Sequence, residues 1–75
     1  MNLSEVKLNT NCVIKSVDVK EEKTKLRLME LGLIEGCVVK VSKKSILKKT
    51  LLIIFNSSCF TLKDNLAKEI VVNYV

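Results

Sequence analysis

The chain has 75 residues, of which 48% are hydrophobic, and it carries a net charge of +5. This length corresponds to one domain with a small core, so we expect a single domain over residues 1–75. Histidine, the usual acid–base catalyst at neutral pH, is absent, and no glycine-rich phosphate loop is present. We therefore expect neither an enzyme nor a bound cofactor.

The cysteines and the apolar runs bear on the compartment. Three widely spaced cysteines do not form the pattern of a disulfide framework, and they fit a reducing environment. We expect all three to be small buried residues: Cys12, Cys37 and Cys59. We expect no metal site, because none of these cysteines has another metal ligand nearby in the sequence. The start lacks the features of a secretory signal, and the longest apolar run, residues 51–55, is too short for a bilayer span. A cytoplasmic protein is expected.

The first strand is predicted over residues 12–19, where β-branched residues alternate with other types. Ile14, Ser16 and Asp18 fall on one face, and three valines fall on the other: Val13, Val17 and Val19. A charged loop over residues 20–23 follows this strand. Its adjacent acids, Glu21 and Glu22, are interpreted as solvated loop residues.

Residues 23–36, which we call the elbow, are the only stretch with helical spacing. A short helix is predicted over about residues 24–31, with Thr24 as its N-cap. Gly32 lies where the helix would exit at positive φ, and Leu33 would then fold back against Leu28. Gly36 is expected at the positive-φ position of a second turn.

The apolar residues of the elbow form two pairs spaced by three residues, on adjoining helix faces. Leu28 and Leu31 are expected to fill the open end of the domain. Leu26 and Met29 are open to two interpretations, either as core residues or as the centre of a partner-binding surface.

Four more short strands are predicted, over residues 37–41, 51–55, 59–62 and 70–74. A polar hairpin tip is expected over residues 42–50, and a single helical turn capped by Asp64 is expected before the last strand. Short strands with tight connections predict a mainly β fold, a small SH3-like antiparallel barrel with a short inserted helix.

The positive charge is concentrated in the hairpin, where an acid-free segment holds five lysines: Lys40, Lys43, Lys44, Lys48 and Lys49. The simplest interpretation is a solvated hairpin tip. Nucleic acid, anionic lipid or an acidic protein surface are alternative partners. A nucleic-acid-binding SH3-like barrel would use Lys43, Lys44, Lys48 and Lys49, but aromatic side chains for base stacking are scarce.

The elbow also carries a family resemblance. Residues 27–36 and the four residues after Cys37 resemble the signature of the ferrous iron transport protein A (FeoA) family. They read Arg-Leu-Met-Glu-Leu-Gly-Leu-Ile-Glu-Gly and Val-Val-Lys-Val. The flanks agree over nearly the whole chain, at residues 3–9, 13–17 and 60–72. Two departures are visible: Glu35 stands where the family usually has proline, and residues 47–50 replace the family's glycine-containing hairpin.

The resemblance implies an SH3-like barrel without enzymatic activity and an accessory role in bacterial ferrous iron uptake. The implied partner is the cytosolic region of a FeoB-type membrane permease, with membrane contact through that partner only and no nucleic acid. Leu26 and Met29 are the candidate contact residues, with Arg27 and Glu30 as a polar rim. Lysine steering toward an anionic inner leaflet is an intermediate alternative.

Overall fold

The computed structural model describes all residues from 1 to 75 and contains five strands with three short helices. A 3-10 helix at Leu3–Glu5 precedes β1 (Asn11–Val17), α1 (Glu22–Glu30), β2 (Val38–Ser45), β3 (Thr50–Phe55), β4 (Ser58–Lys63), α2 (Asp64–Ala67) and β5 (Ile70–Tyr74). The strands form one antiparallel sheet in the order β4-β3-β2-β1-β5. The predicted mainly β fold with one inserted helix is confirmed.

One buried apolar cluster of 15 residues joins all five strands. Each strand contributes its inward-facing residues: Cys12, Ile14, Val39, Val41, Leu51, Ile53, Leu62, Ile70 and Val72. The cluster is closed by residues outside the strands, including Leu3 and Val6 at the chain start and Ala67 in α2. No polar or charged residue is buried, so the core is entirely apolar.

The two alternating faces predicted for the first strand, with Val13, Val17 and Val19 together on one of them, are not found. Cys12 and Ile14 are buried, whereas Val13 and Val17 are only half-buried. The ladder to β5 shifts register between Ile14 and Ser16. Such a bulge reverses which alternate residues face the core, so a strict two-residue period does not hold through this strand.

The β2–β3 hairpin is longer in its strands and shorter at its tip than predicted. Lys43, Lys44 and Ser45 pair with Leu52, Leu51 and Thr50, which leaves a four-residue turn over residues 46–49. Polar residues extend the strand here because backbone pairing with the apolar β3 is available to them. β3 lies inside the sheet between β2 and β4, as its apolar sequence predicted.

The edge strands β4 and β5 are joined through α2 rather than paired with each other. The chain start covers part of the β5 edge, because Asn2 bridges Val71 and the Val72 N–H donates to the Met1 carbonyl at 2.9 Å. Asp64 is the first residue of α2, whose N-cap is Lys63, so the predicted capping role of Asp64 is wrong. None of the helices combines the length and apolar character needed to cross a membrane.

Candidate functional site

The start of α1 lies two residues before the predicted start. Glu21 is the N-cap and Glu22 is the first helical residue, so the predicted capping role of Thr24 is wrong. The Thr24 hydroxyl instead donates a hydrogen bond to the Glu21 carboxylate. Acidic residues are favoured in the first turn of a helix because its free N–H groups carry partial positive charge. The two adjacent glutamates therefore belong to the helix start and not to a solvated loop.

The end of α1 is fixed by a Schellman motif. The Gly32 N–H donates to the Met29 carbonyl and the Leu33 N–H donates to the Leu28 carbonyl, both at 2.9 Å. Gly32 has φ +93°, a conformation that side chains with a Cβ rarely adopt. Gly36 has φ +92° in the following turn. Both predicted glycine positions are confirmed, and they set the direction of the chain into β2.

Only one face of α1 meets the core. Leu28 is buried, and Leu33 is buried beyond the turn. Leu31 was expected to fill the same space, but its side chain is 51% exposed. It occupies the C-cap position, and the reversal at Gly32 places Leu33 rather than Leu31 in the core. The expectation for Leu31 is therefore wrong.

The remaining apolar residues of α1, Leu26 and Met29, are 56% and 50% exposed. Leu26 precedes Leu28 by two positions, which is about 200° around a helix, so it faces away from the core. Leu26 and Met29 line a shallow depression of about 340 Å³ together with Glu22, Lys23 and Lys25. All of these residues belong to α1. The depression is thus on the helix surface and does not lie between the helix and the strands.

The predicted rim residues Arg27 and Glu30 are exposed on α1, but they do not line the depression. Sequence reasoning missed two residues beyond the helix, because Ile34 and Val38 also expose their side chains. We call the set Leu26, Met29, Leu31, Ile34 and Val38 the exposed apolar residues of the elbow region. Charged side chains of α1 accompany them, a composition suited to protein contact rather than to chemistry on a small molecule.

The lysines of the hairpin do not act as one cluster. Lys44, Lys48 and Lys49 line an open cleft of about 720 Å³, which we call the lysine cleft, whereas Lys43 does not line it. Two lysines from later in the chain, Lys63 and Lys68, complete the cleft. They were missed because only the pairing of β3 with β4 and the position of α2 bring them to the hairpin.

Backbone pairing explains this placement. Thr50 pairs with Lys63, and the Asp64 N–H donates to the Lys49 carbonyl at 2.9 Å, so α2 begins directly beside the hairpin turn. Asp64 is the one acidic residue lining the cleft, and it forms an ion pair with Lys68 at 3.5 Å. Five lysines thus face one carboxylate, which makes the cleft strongly positive.

Lys44 has a structural contact of its own. Its Nζ donates to the carbonyl oxygens of Ser4 at 2.7 Å and Val6 at 3.1 Å. These carbonyls lie at the end of the first 3-10 helix, where partial negative charge favours a cation. Lys44 therefore ties the base of the hairpin to the chain start.

The three cysteines occupy different environments. Cys12 is buried, and burial raises the pKa of its thiol. Cys37 is half-buried and its thiol donates to the Gly32 carbonyl at 3.0 Å. Cys59 is exposed, so the expectation of three buried cysteines is wrong for Cys59 and is met only in part at Cys37. The structure contains no group of three or more cysteine, aspartate or glutamate side chains that could hold a metal ion.

The chain is similar to known proteins in both its sequence and its fold. The family model of the FeoA domain matches residues 1–74. The FeoA protein from Chlorobium tepidum is similar at 32% identity and a TM-score of 0.91, covering 100% of this chain and 70% of that one. Stenotrophomonas maltophilia FeoA complexed with zinc is similar at 33% identity and a TM-score of 0.82, covering 97% and 89%. No curated protein matches the chain.

The Stenotrophomonas protein is described as a procaryotic SH3 domain protein and as a possible ferrous iron transport activating factor. T. acidophilum IdeR has a TM-score of 0.84 over 100% of this chain and 34% of its own, at 16% identity. That identity shows a shared fold alone. The SH3-like architecture expected from the sequence is confirmed by these neighbours.

Proposed function

The chain belongs to the FeoA family, which is linked to ferrous iron transport, and we propose that it is a cytoplasmic accessory protein of bacterial ferrous iron uptake. In this proposal it acts without enzymatic activity, by binding the cytosolic region of a FeoB-type permease. The description of the Stenotrophomonas relative as a possible transport activating factor supports this role.

The observation that carries the proposal is the exposed apolar face of α1. Leu26 and Met29 are about half exposed, so leaving them uncovered forgoes about half of the roughly 1.5–3 kcal/mol that full burial of each side chain would provide. A nine-residue helix is too short to be stable alone, so its tertiary anchors are needed to present this face. A partner groove that covers the face recovers the lost burial, as in other helix-in-groove complexes.

The anchoring of α1 suits such a role. Leu28 and Leu33 fix one side of the helix in the core, and the Schellman motif fixes the direction of its exit. Leu26 and Met29 are thereby held on the outer side before the partner arrives. Preorganisation of this kind lowers the ordering cost of association.

A second candidate, nucleic-acid binding through the hairpin lysines, is favoured only by the charge of the lysine cleft. The aromatic side chains are engaged elsewhere. Phe55 and Phe60 pack against the core, and the Tyr74 hydroxyl accepts a hydrogen bond from the Lys7 N–H at 2.9 Å. Tyr74 is the one aromatic residue that is largely exposed, at 42%, so the array of stacking platforms typical of single-strand binding is not present. Absence of retardation in a low-salt gel shift would reject this candidate.

The proposed function is tested by iron uptake in the host bacterium. Removing the protein is expected to lower permease-dependent uptake of labelled ferrous iron, and the wild-type chain is expected to restore it. A Leu26→Asp, Met29→Asp double variant, shown by circular dichroism to be folded, should fail to restore uptake. Unchanged uptake after removal of the protein would reject the accessory role.

A further inference from the structure

The tip of the β2–β3 hairpin exposes two aliphatic side chains almost completely. Ile46 is 89% exposed and Leu47 is 97% exposed, more than any other large hydrophobic residue of the chain. They are the first two residues of the four-residue turn, which follows the last β2–β3 pair, Ser45 with Thr50. Adjacent aliphatic residues at a loop tip give the folded chain no burial, so they contribute nothing to the core.

The hairpin that carries this pair is anchored at its base. Ser45 pairs with Thr50, and the Lys48 N–H donates to the Ser45 hydroxyl oxygen at 3.2 Å within the turn. Lys44 is bonded to the chain start, and the Lys49 carbonyl accepts from α2. The aliphatic pair is thus presented on a braced support.

Positive charge surrounds the base of the tip. Lys43 and Lys44 precede Ile46, and Lys48 and Lys49 follow Leu47. Lys63 and Lys68 add their charge from the neighbouring β4 and α2, and the only acid beside them is Asp64, which is paired with Lys68. The hairpin thus combines an aliphatic tip with a surrounding set of lysines, which we call the basic collar: Lys43, Lys44, Lys48, Lys49, Lys63 and Lys68.

We propose that this hairpin docks directly on an anionic membrane surface. Ile46 and Leu47 enter the boundary between headgroups and acyl chains, while Lys48, Lys49 and Lys63 contact lipid phosphates. The ammonium groups of Lys44 and Lys68 are already held within the chain. Stable attachment to a membrane needs two signals, such as an apolar insertion together with a basic patch, and the hairpin supplies both. Nucleic acid would match the charge and would leave the aliphatic pair in water.

This inference goes beyond the proposed function, since it requires no permease and gives the chain its own contact with the bilayer. The chain would then meet the membrane directly, rather than through its partner only. Vesicles without any protein partner therefore test it independently of iron uptake.

The first experiment measures sedimentation with vesicles of phosphatidylcholine alone and with about 30% phosphatidylglycerol. Binding is expected only to the anionic vesicles. Lys48→Gln, Lys49→Gln should weaken it about fivefold for each lysine removed. Ile46→Ser, Leu47→Ser should weaken it about tenfold. The matched controls are Lys15→Gln, Lys20→Gln and Leu8→Ser, Val75→Ser, which change exposed residues outside the hairpin and should bind as the wild type does.

The second experiment measures insertion. The chain has no tryptophan, so Leu47→Trp places a single reporter at the tip, and Leu8→Trp places one elsewhere on the surface. Anionic vesicles with brominated acyl chains should shift the Leu47→Trp emission to the blue and quench it, and should leave the Leu8→Trp emission unchanged.

Three results would overturn the proposal. The first is failure of the wild type to bind anionic vesicles. The second is equal binding by Ile46→Ser, Leu47→Ser, which would indicate adsorption by charge alone. The third is a tip tryptophan that remains unquenched. Retardation of DNA by the same lysines without vesicle binding would assign the collar to nucleic acid instead.

Discussion

The backbone N–H of Leu33 donates to the carbonyl oxygen of Leu28 at 2.9 Å, and both side chains are buried in the core. The bond closes the Schellman motif that ends α1. It joins the last buried residue of the helix to the first buried residue after it. Leu26 and Met29 are left on the outer side of the helix, so the same bond that completes the core fixes the candidate contact surface.

The motif requires glycine at position 32 for two reasons. Its φ is +93°, and a Cβ there would lie 3.0 Å from Phe55 Cε2. Gly36 has φ +92°, but a Cβ there would meet no atom within 4 Å. Gly36→Ala should therefore cost about 1–2 kcal/mol of unfolding free energy, and Gly32→Ala should cost more. Urea denaturation of the two variants measures the difference.

The Phe55 contribution is separated by a double-mutant cycle. In a Phe55→Leu background the aromatic ring atoms near position 32 are absent, so Gly32→Ala should cost less than it does in the wild type. Gly36→Ala should cost the same in both backgrounds. Equal costs for Gly32→Ala in the two backgrounds would show that the ring moves aside freely.

The β3–β4 hairpin can be stabilised by one substitution. Asn56 has φ +49° and Ser57 has φ +65°, and Phe55 pairs with Ser58 across this two-residue turn. Positive φ at both central positions is the geometry for which Asn-Gly is favoured. Ser57→Gly should raise stability by about 1 kcal/mol, or ~4–8 °C in Tm. Ser58→Gly, placed in the strand, should lower Tm, and a fall in Tm for Ser57→Gly would contradict the assigned turn.

Lys44 should matter for stability where its neighbour Lys43 does not. Lys44→Met removes the donor to the Ser4 and Val6 carbonyls, while keeping the apolar stem of the side chain. The expected cost is about 1 kcal/mol, with faster hydrogen exchange in the first helix. Lys43→Met is the matched control with no such contact, and equal effects of the two variants would deny Lys44 its bracing role.

The buried Cys12 thiol predicts a loss of stability in alkali. Burial raises the pKa of this thiol in the folded chain, so the unfolded chain releases its proton first as the pH rises. Stability should be retained below about pH 8.5, where a free thiol is protonated, and should fall above it. Between about pH 8 and pH 10, the interval in which a free thiol titrates, the free energy of unfolding of Cys12→Ala should decline less steeply than that of the wild type. Identical slopes would exclude Cys12 as the cause.

Sequence alone located the features that depend on local chemistry. Gly32 and Gly36 were placed at positive φ, and β5 was predicted over its observed residues, because glycine geometry and short apolar patterns are local. The face of β1 could not be read in this way. A bulge near Lys15 reverses its alternation, and the bulge is defined by pairing with β5 at the far end of the chain.

The candidate surfaces, too, could be predicted from the sequence only in part. Leu26 and Met29 could be identified as a pair from their spacing, but their exposure depends on which face of α1 the core takes. Lys63 and Lys68 gave no local signal, since Thr50 pairing with Lys63 is what brings them to the hairpin. The exposure of Ile46 and Leu47 depended equally on how far β2 and β3 remain paired beyond the predicted strands.

Direct titration of the chain with the purified cytosolic region of the permease tests whether α1 carries the binding surface. We expect saturable binding by the wild type and a loss of about tenfold or more in affinity for Leu26→Asp and for Met29→Asp, each shown to be folded by circular dichroism. Leu8→Asp, which adds the same charge at another exposed leucine, should bind as the wild type does. Wild-type affinity in both α1 variants would contradict the assignment of this helix face as the binding surface.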